Sequence, residues 1–219
     1  MVDNEKQLTP RQRARRKAIL DAVRLQLAED GYEGLSMRKV AEQASVSPST
    51  LYEIYQSKEH LILYSIAESI RNLGLEEDQY EPGLERFLHR LESIASFFVS
   101  DADTGLAVAK VFLRADKDSP ANEVFLVNAI EARKTSLLEM KEMKQLKRGI
   151  DVEFLSRTLV ALTWGTAILW ARGFITSAGF QGELIRGSMS LVQPQVSRSA
   201  AKRVAEIIDL YTPAELHEH

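Results

Sequence analysis

Cysteine is absent from this 219-residue chain, which excludes disulfide bridges and thiolate metal ligands. Histidine is scarce. Of the four, His60 opens a helical stretch, His89 lies within another, and His217-Glu218-His219 sits on the tail without a further ligand, so neither metal nor cofactor is expected. No HExxH pair, phosphate-cradling glycine loop or nucleophile elbow occurs, and catalysis is not expected either. A helical enzyme would need clustered acid and base groups, and only Asp116 to Asp118 comes near that. The charged N-terminus lacks the apolar core of a secretory signal. The longest uncharged run, 158–171, is shorter than the roughly twenty residues needed to span a bilayer. Together these absences point to a soluble, cytoplasmic protein that does not enter a membrane. Strand-like alternation and internal repeats are missing as well, so the fold class is all-α.

The net charge of -3 hides an uneven distribution. Through Leu61 there are ten lysines and arginines against nine acids, so residues 1–61 carry +1 and the remainder -4. The basic share is concentrated in Arg11, Arg13, Arg15, Arg16 and Lys17. An acidic body with a basic tip is oriented towards a polyanion.

The chain is organised around residues 31–61. Ser36 stands where it can cap a short helix whose apolar face is Met37, Val40, Ala41 and Ala44. Ser47-Pro48 starts a second, since proline fits a first helical turn that needs no amide donor. Leu51, Ile54 and Tyr55 share its inward face, leaving Ser49, Tyr52 and Glu53 outside. Ser57 caps a further helix with Lys58 in its first turn. Two short helices joined by a tight turn, the second presenting hydroxyls and a tyrosine, form a helix-turn-helix suited to a major groove.

These residues resemble the tetracycline-repressor (TetR) type of bacterial transcriptional regulators over 16–67. The resemblance rests on Gly31-Tyr32, on Met37-Arg38-Lys39-Val40-Ala41, on Val46-Ser47 and Thr50-Leu51-Tyr52, and on Tyr55, Ser57-Lys58-Glu59 and Leu61. Departures are Ser45 in place of the turn glycine, Pro48-Ser49 where Lys and Gly are frequent, and Glu53 where an aromatic or basic residue is common. The resemblance implies DNA contact through Arg15, Arg38, Ser47, Pro48, Ser49, Thr50, Tyr52 and Lys58.

Upstream, Thr9-Pro10-Arg11-Gln12 reads as a capping box opening a helix with Ile19, Ala22, Val23 and Leu27 inward, and Gly31 as its left-handed cap. Met1 to Leu8 is polar and expected to be disordered. The N-terminal domain is placed at 10–73 and the body at 84–213, with an acidic break at 74–83. In the body, helices are expected over 84–100, 106–115, 118–148, 152–172, 183–192 and 198–211, with a turn at 101–105. The resemblance implies that 152–172 and 198–211 meet their twofold mates in a homodimer. It also implies a small-molecule cavity, for which Phe97, Phe98, Phe112, Phe125, Trp164 and Trp170 are the candidate lining.

The function read from the sequence is a homodimeric, ligand-responsive transcriptional regulator, a repressor bound to a palindromic double-stranded DNA operator and released by a small-molecule effector. The alternative is an effector-less architectural DNA-binding protein of the same fold.

Overall fold

The computed structural model describes residues 8–73, 80–100, 102–114 and 122–213. Most of the leading polar segment, the acidic stretch at 74–79, the Asp116 to Asp118 cluster, the start expected at Asp118-Ser119-Pro120 and the His217-Glu218-His219 tail lie outside the described residues. The backbone separates into two compact units, Met1–Ser69 and Ile70–His219.

Four helices build the first unit: α1 (Pro10–Gly34), α2 (Met37–Gln43), α3 (Pro48–Tyr55) and α4 (Lys58–Leu73), the last running past the division between the units. At the start of α1 the Gln12 amide donates to Thr9 Oγ1 and the Thr9 amide donates to Gln12 Oε1, a complete capping box. Gly31 takes a left-handed φ of 65°, interrupting α1 before one more turn closes at Gly34. Ile19, Ala22, Val23 and Leu27 are buried as the spacing requires.

The Ser36 hydroxyl makes no capping bond. Gln26 instead holds the Ser36 backbone: this buried side chain accepts the Ser36 amide at 3.1 Å and donates to Gln43 Oε1 at 3.1 Å, tying α1 to both ends of α2. A side chain distant in sequence therefore fixes the start of α2, while the bond that local spacing assigned to the Ser36 hydroxyl is not made.

The second unit contains α5 (Leu84–Val99), α6 (Ala102–Arg114), a wide π-helical turn (Glu123–Val127) leading into α7 (Asn128–Glu142), α8 (Val152–Ala171), α9 (Ser177–Val192) and α10 (Arg198–Leu210). Among the described residues the only β-like pairing is an isolated bridge between Leu146 and Val196. One core joins Phe87 and Leu91 of α5, Leu137 and Met140 of α7, Leu159 of α8, Ile185 and Met189 of α9, and Val204 and Ile207 of α10. By length and composition α8 could cross a membrane, yet half of it is buried within the body, as a core helix is.

Three boundaries differ from expectation. The turn placed at 101–105 is helical from Ala102, and Gly105 lies inside α6 because a Cβ there would collide with the Phe98 carbonyl. That glycine permits a close backbone approach and does not break the helix. Gly179 likewise lies in the first turn of α9, donating to Thr176 Oγ1 at 3.0 Å, so the helix expected from 183 begins at Ser177. Finally α7 stops at Glu142, well before Arg148. Lys144 turns left-handed there, with φ 56°. Leu146 then bridges to Val196, and the Lys147 amide donates to the Gln195 carbonyl at 2.8 Å. Gln145 also uses its side-chain oxygen to cap Leu84 at the head of α5.

Arg203 on α10 grips Glu85 on α5 through two bonds of 2.7 and 2.9 Å. The hydrogen bonds from Arg203 hold the Glu85 carboxyl below its ordinary 4.5. A depressed folded-state pKa contributes stability above the unfolded value and loses it as pH falls through the folded one. Glu85→Gln should lower the melting temperature at pH 7 by about 1–2 °C, since a part-exposed pair is screened. Thermal melts from pH 7 to pH 2.5 should show the gap between variant and parent closing on the acid side. A gap that widens there would refute this role for the pair.

Candidate functional site

The turn between α2 and α3 is a left-handed cap. Ser45 has φ 53°, and the Val46 amide reaches back to the Ala41 carbonyl at 2.9 Å, so serine adopts the conformation usually given to glycine. Ser47 then caps α3, accepting the Thr50 amide at 3.1 Å. Its oxygen is also 2.8 Å from the hydroxyls of both Ser49 and Thr50. The hydroxyls expected to reach outward are thus gathered into one cluster at the head of α3, with Pro48 exposed beside them.

Below, Leu51 is wholly buried and Tyr55 is 4% exposed, packed edge-on against Tyr64 at 5.3 Å. Burial, then Tyr64, pushes the Tyr55 hydroxyl pKa upward, and the group stays neutral. Arg16 donates to Tyr64 Oη at 2.9 Å while lying 5.5 Å from its ring centre. On the opposite side Tyr52 is 51% exposed, beside exposed Glu53. A short helix clamped by one face therefore presents a single large side chain on the other.

Cations sort into two groups. Lys17 and Arg24 share Asp21, Lys39 pairs with Asp30 at 3.0 Å, and Lys58 donates to the Glu33 carbonyl at 3.1 Å, tying the end of α1 to the start of α4. Arg11, Arg13, Arg15 and Arg38 are exposed and make no ion pair or hydrogen bond among the described residues. Arg15 and Arg38 were singled out from the sequence, whereas Arg11 and Arg13 were named only as part of the basic run. Which cations lack an acid partner depends on the fold.

The body encloses a cavity of about 140 Å³. Phe97, Phe98, Phe125 and Trp164 line it, together with Ile94, Val160 and others. Phe112 and Trp170 do not. Phe112 stacks on Trp164 at 3.9 Å, and Trp170 packs against Phe98 and Phe180 with its indole donating to Ser177. The π-helical turn has a clear use here: the Phe125 carbonyl accepts the Trp164 indole at 3.1 Å, fixing the ring in the cavity wall.

Arg133 also lines the cavity and is 4% exposed. Sequence reading passed over it, though its spacing held a signal. It falls three, four and seven residues before Ser136, Leu137 and Met140, on the buried stripe of α7. Burial, then the charge of Arg90, lowers its pKa to about 10, which leaves it charged at neutral pH. Among the described residues no group of three or more His, Cys, Asp or Glu could hold a metal.

Residues 19–64, which contain this turn and both its helices, match the family model described as bacterial regulatory proteins, tetR family. The helix-turn-helix region of this chain is that of the TetR family. A relative from Rhodococcus jostii (strain RHA1), the HTH-type transcriptional repressor KstR, is 34% identical over 113 residues, which is 50% of this chain and 53% of KstR. The chain thus spans about half the length of that relative, and less of the KstR from Mycolicibacterium smegmatis, with 40% identity over 33% of it. Among solved structures, Thermus thermophilus FadR, a TetR-family transcriptional repressor in complex with lauroyl-CoA, superposes with a TM-score of 0.64 at 21% identity, covering 84% of this chain and 96% of FadR. At that identity the likeness establishes the TetR fold, a helix-turn-helix unit followed by a helical body.

Proposed function

We propose that the protein is a homodimeric, ligand-responsive transcriptional regulator of the repressor kind, reading a palindromic operator through α3. The observation that carries this reading is the construction of α3, capped by Ser47, clamped through Leu51 and Tyr55, and exposing Tyr52 next to the Ser47, Ser49 and Thr50 hydroxyls. A helix fixed on one side and bare on the other is what entry into a major groove requires. The exposed arginines without acid partners among the described residues, Arg11, Arg13, Arg15 and Arg38, supply phosphate contacts that set register without reading sequence. Lys58, bound to the Glu33 carbonyl, serves to position α4 against α1.

Dimerisation is placed on α8. Its outward face carries Phe154, Thr158, Ala161, Leu162, Gly165 and Leu169, with Phe154 61% and Leu169 47% exposed. Gly165 is informative because a Cβ there would meet nothing within 4 Å, so the monomer has no use for it. A mid-helix glycine costs about 1 kcal/mol against alanine, and a close approach by a second copy accounts for it. Of the α10 stripe expected beside it, Val204 and Ile207 are spent on the subunit's own core and Ile208 and Tyr211 lie half-buried against it, with Lys202, Arg203 and Glu206 exposed. The effector is placed in the aromatic cavity of the body. FadR, a protein of the same fold, holds lauroyl-CoA.

DNA fragments selected from a random library by the purified protein should converge on an inverted repeat, its half-sites spaced by whole helical turns. Binding to that repeat should weaken steeply with salt. A library that returns no repeat would count against the operator reading, and a repeat released by no small molecule would leave only an architectural role.

A further inference from the structure

The cavity assigned above to the effector contains one group that its apolar lining does not explain. Arg133 is buried to 4% exposure with its Nε unpartnered, and no hydrogen bond or ion pair joins its guanidinium to any described residue. Its nearest aromatic face is Phe87, 6.0 Å from the guanidinium carbon. The neighbouring carboxylate is already engaged: Glu139 lies 3.6 Å from Arg86 and 3.3 Å from Arg90. Arg90 turns aside to donate to Ser136 Oγ at 2.7 Å. Arg86 donates to the Tyr80 carbonyl. Arg86 and Arg90 thus share Glu139, and Arg133, which lines the cavity, pairs with no acid among the described residues.

A buried charge without a counter-charge is among the most destabilising features a core can hold, and apolar residues of similar volume commonly serve better. On the α7 stripe, between the cavity and Leu137, a methionine would fill the space. The arginine stays charged at neutral pH. Of the described residues lining the cavity it is the one charged group, and Thr163 has already given its hydroxyl hydrogen to the Leu159 carbonyl.

We propose that Arg133 anchors the carboxylate of an amphiphilic effector whose apolar part lies among Phe97, Phe98, Phe125 and Trp164. This rests on the effector reading of the cavity and names its chemistry. A guanidinium presents parallel N–H donors that match a carboxylate in a plane, and the dry surroundings strengthen the pair. A cavity of about 140 Å³ suits a body near the size of a benzene ring or a short alkyl chain. The ligand completes the charge balance that the described residues leave open.

The test uses the full-length protein and pairs of probes matched in shape: phenylacetate against 2-phenylethanol, and hexanoate and octanoate against 1-hexanol and 1-octanol. Binding is followed by titration calorimetry and by tryptophan fluorescence, to which Trp164 reports directly. Each acid should bind about ten- to a hundredfold more tightly than its alcohol, as expected for a charge-assisted bond replacing none. Arg133→Met should erase that preference while keeping alcohol binding and a melting temperature at least as high as the parent's. Arg148→Gln, an exposed charge elsewhere in the body, should preserve it. Acids and alcohols binding the parent protein equally would overturn the anchor and leave the effector cavity standing, as would a preference that survives Arg133→Met. Binding of neither class would overturn both. If Arg133→Met fails to fold, the comparison in the parent protein still decides, and Arg133→Lys should show a reduced preference, having charge without the planar fork.

Discussion

Leu169→Asp should convert the protein to a monomer and cost it most of its operator affinity without unfolding the subunit. Leu169 is 47% exposed on α8, on the same outward face as Phe154, Ala161 and Gly165, so within one chain the aspartate stays hydrated. In the proposed twofold contact the same change appears twice, and each unpaired carboxylate buried there costs several kcal/mol. That exceeds what a modest apolar seam supplies. Once the two readers are no longer joined, the second half-site contact ceases to be intramolecular, and operator affinity should fall by about 10²- to 10⁴-fold. Sedimentation gives the mass, a thermal melt gives the subunit's integrity, and a shift assay gives the affinity. A Leu169→Asp protein that sediments as a dimer would remove α8 from the interface. A companion change, Gly165→Ala, should firm the isolated helix by about 1 kcal/mol and weaken the dimer.

Two adjacent residues of α3 should separate stability from recognition. Leu51 is wholly buried, and Leu51→Ala should destabilise the first unit by about 2–5 kcal/mol, through lost transfer energy and the cavity left behind. Operator binding then fails because the helix is no longer held. Tyr52, one position along and 51% exposed, contributes little to the core, so Tyr52→Ala should leave the melt within about 0.5 kcal/mol of the parent. Yet it should weaken the selected operator by about 1–3 kcal/mol, the value of one good base contact. Random DNA should be much less affected, because arginine–phosphate contacts remain. Equal losses on operator and random sequence would assign Tyr52 to the backbone, and no loss on either would remove α3 from the groove.

Local chemistry made parts of this molecule readable in advance. The Thr9–Gln12 capping box, Ser47 over Thr50, Ser57 over His60 and Asp151 over Phe154 each join residues three apart, a distance set by helix geometry. The inward residues of α1, α2 and α3 followed from a period of 3.6. Long-range partners were not readable. Ser36 and Ser197 occupy cap positions, but at the first the hydroxyl makes no cap and Gln26 holds the Ser36 amide, and at the second the hydroxyl donates to the Lys144 carbonyl. Gly105 and Gly179 look like helix breakers in a linear reading, whereas one accommodates a neighbouring helix and the other fits an N-terminal turn.

The candidate sites divide in the same way. Six aromatics stood out by type, but only packing determines that Phe112 backs Trp164 and that Trp170 turns to Ser177. Lys58 looks like a phosphate contact in sequence and is bonded to a carbonyl in the fold. Arg133, among the many charges of α7, looks like any solvated residue until its stripe is known to be interior.

By itself, then, the sequence determined the helical class, the family turn, most caps and the faces of the amphipathic helices, because each depends on atoms within one or two helical turns. Only the tertiary structure decided which cations lack an acid, which glycines separate backbones, where α7 must end and which rings enclose a space. Those outcomes depend on segments brought together from up to more than a hundred positions away, as when Arg203 meets Glu85.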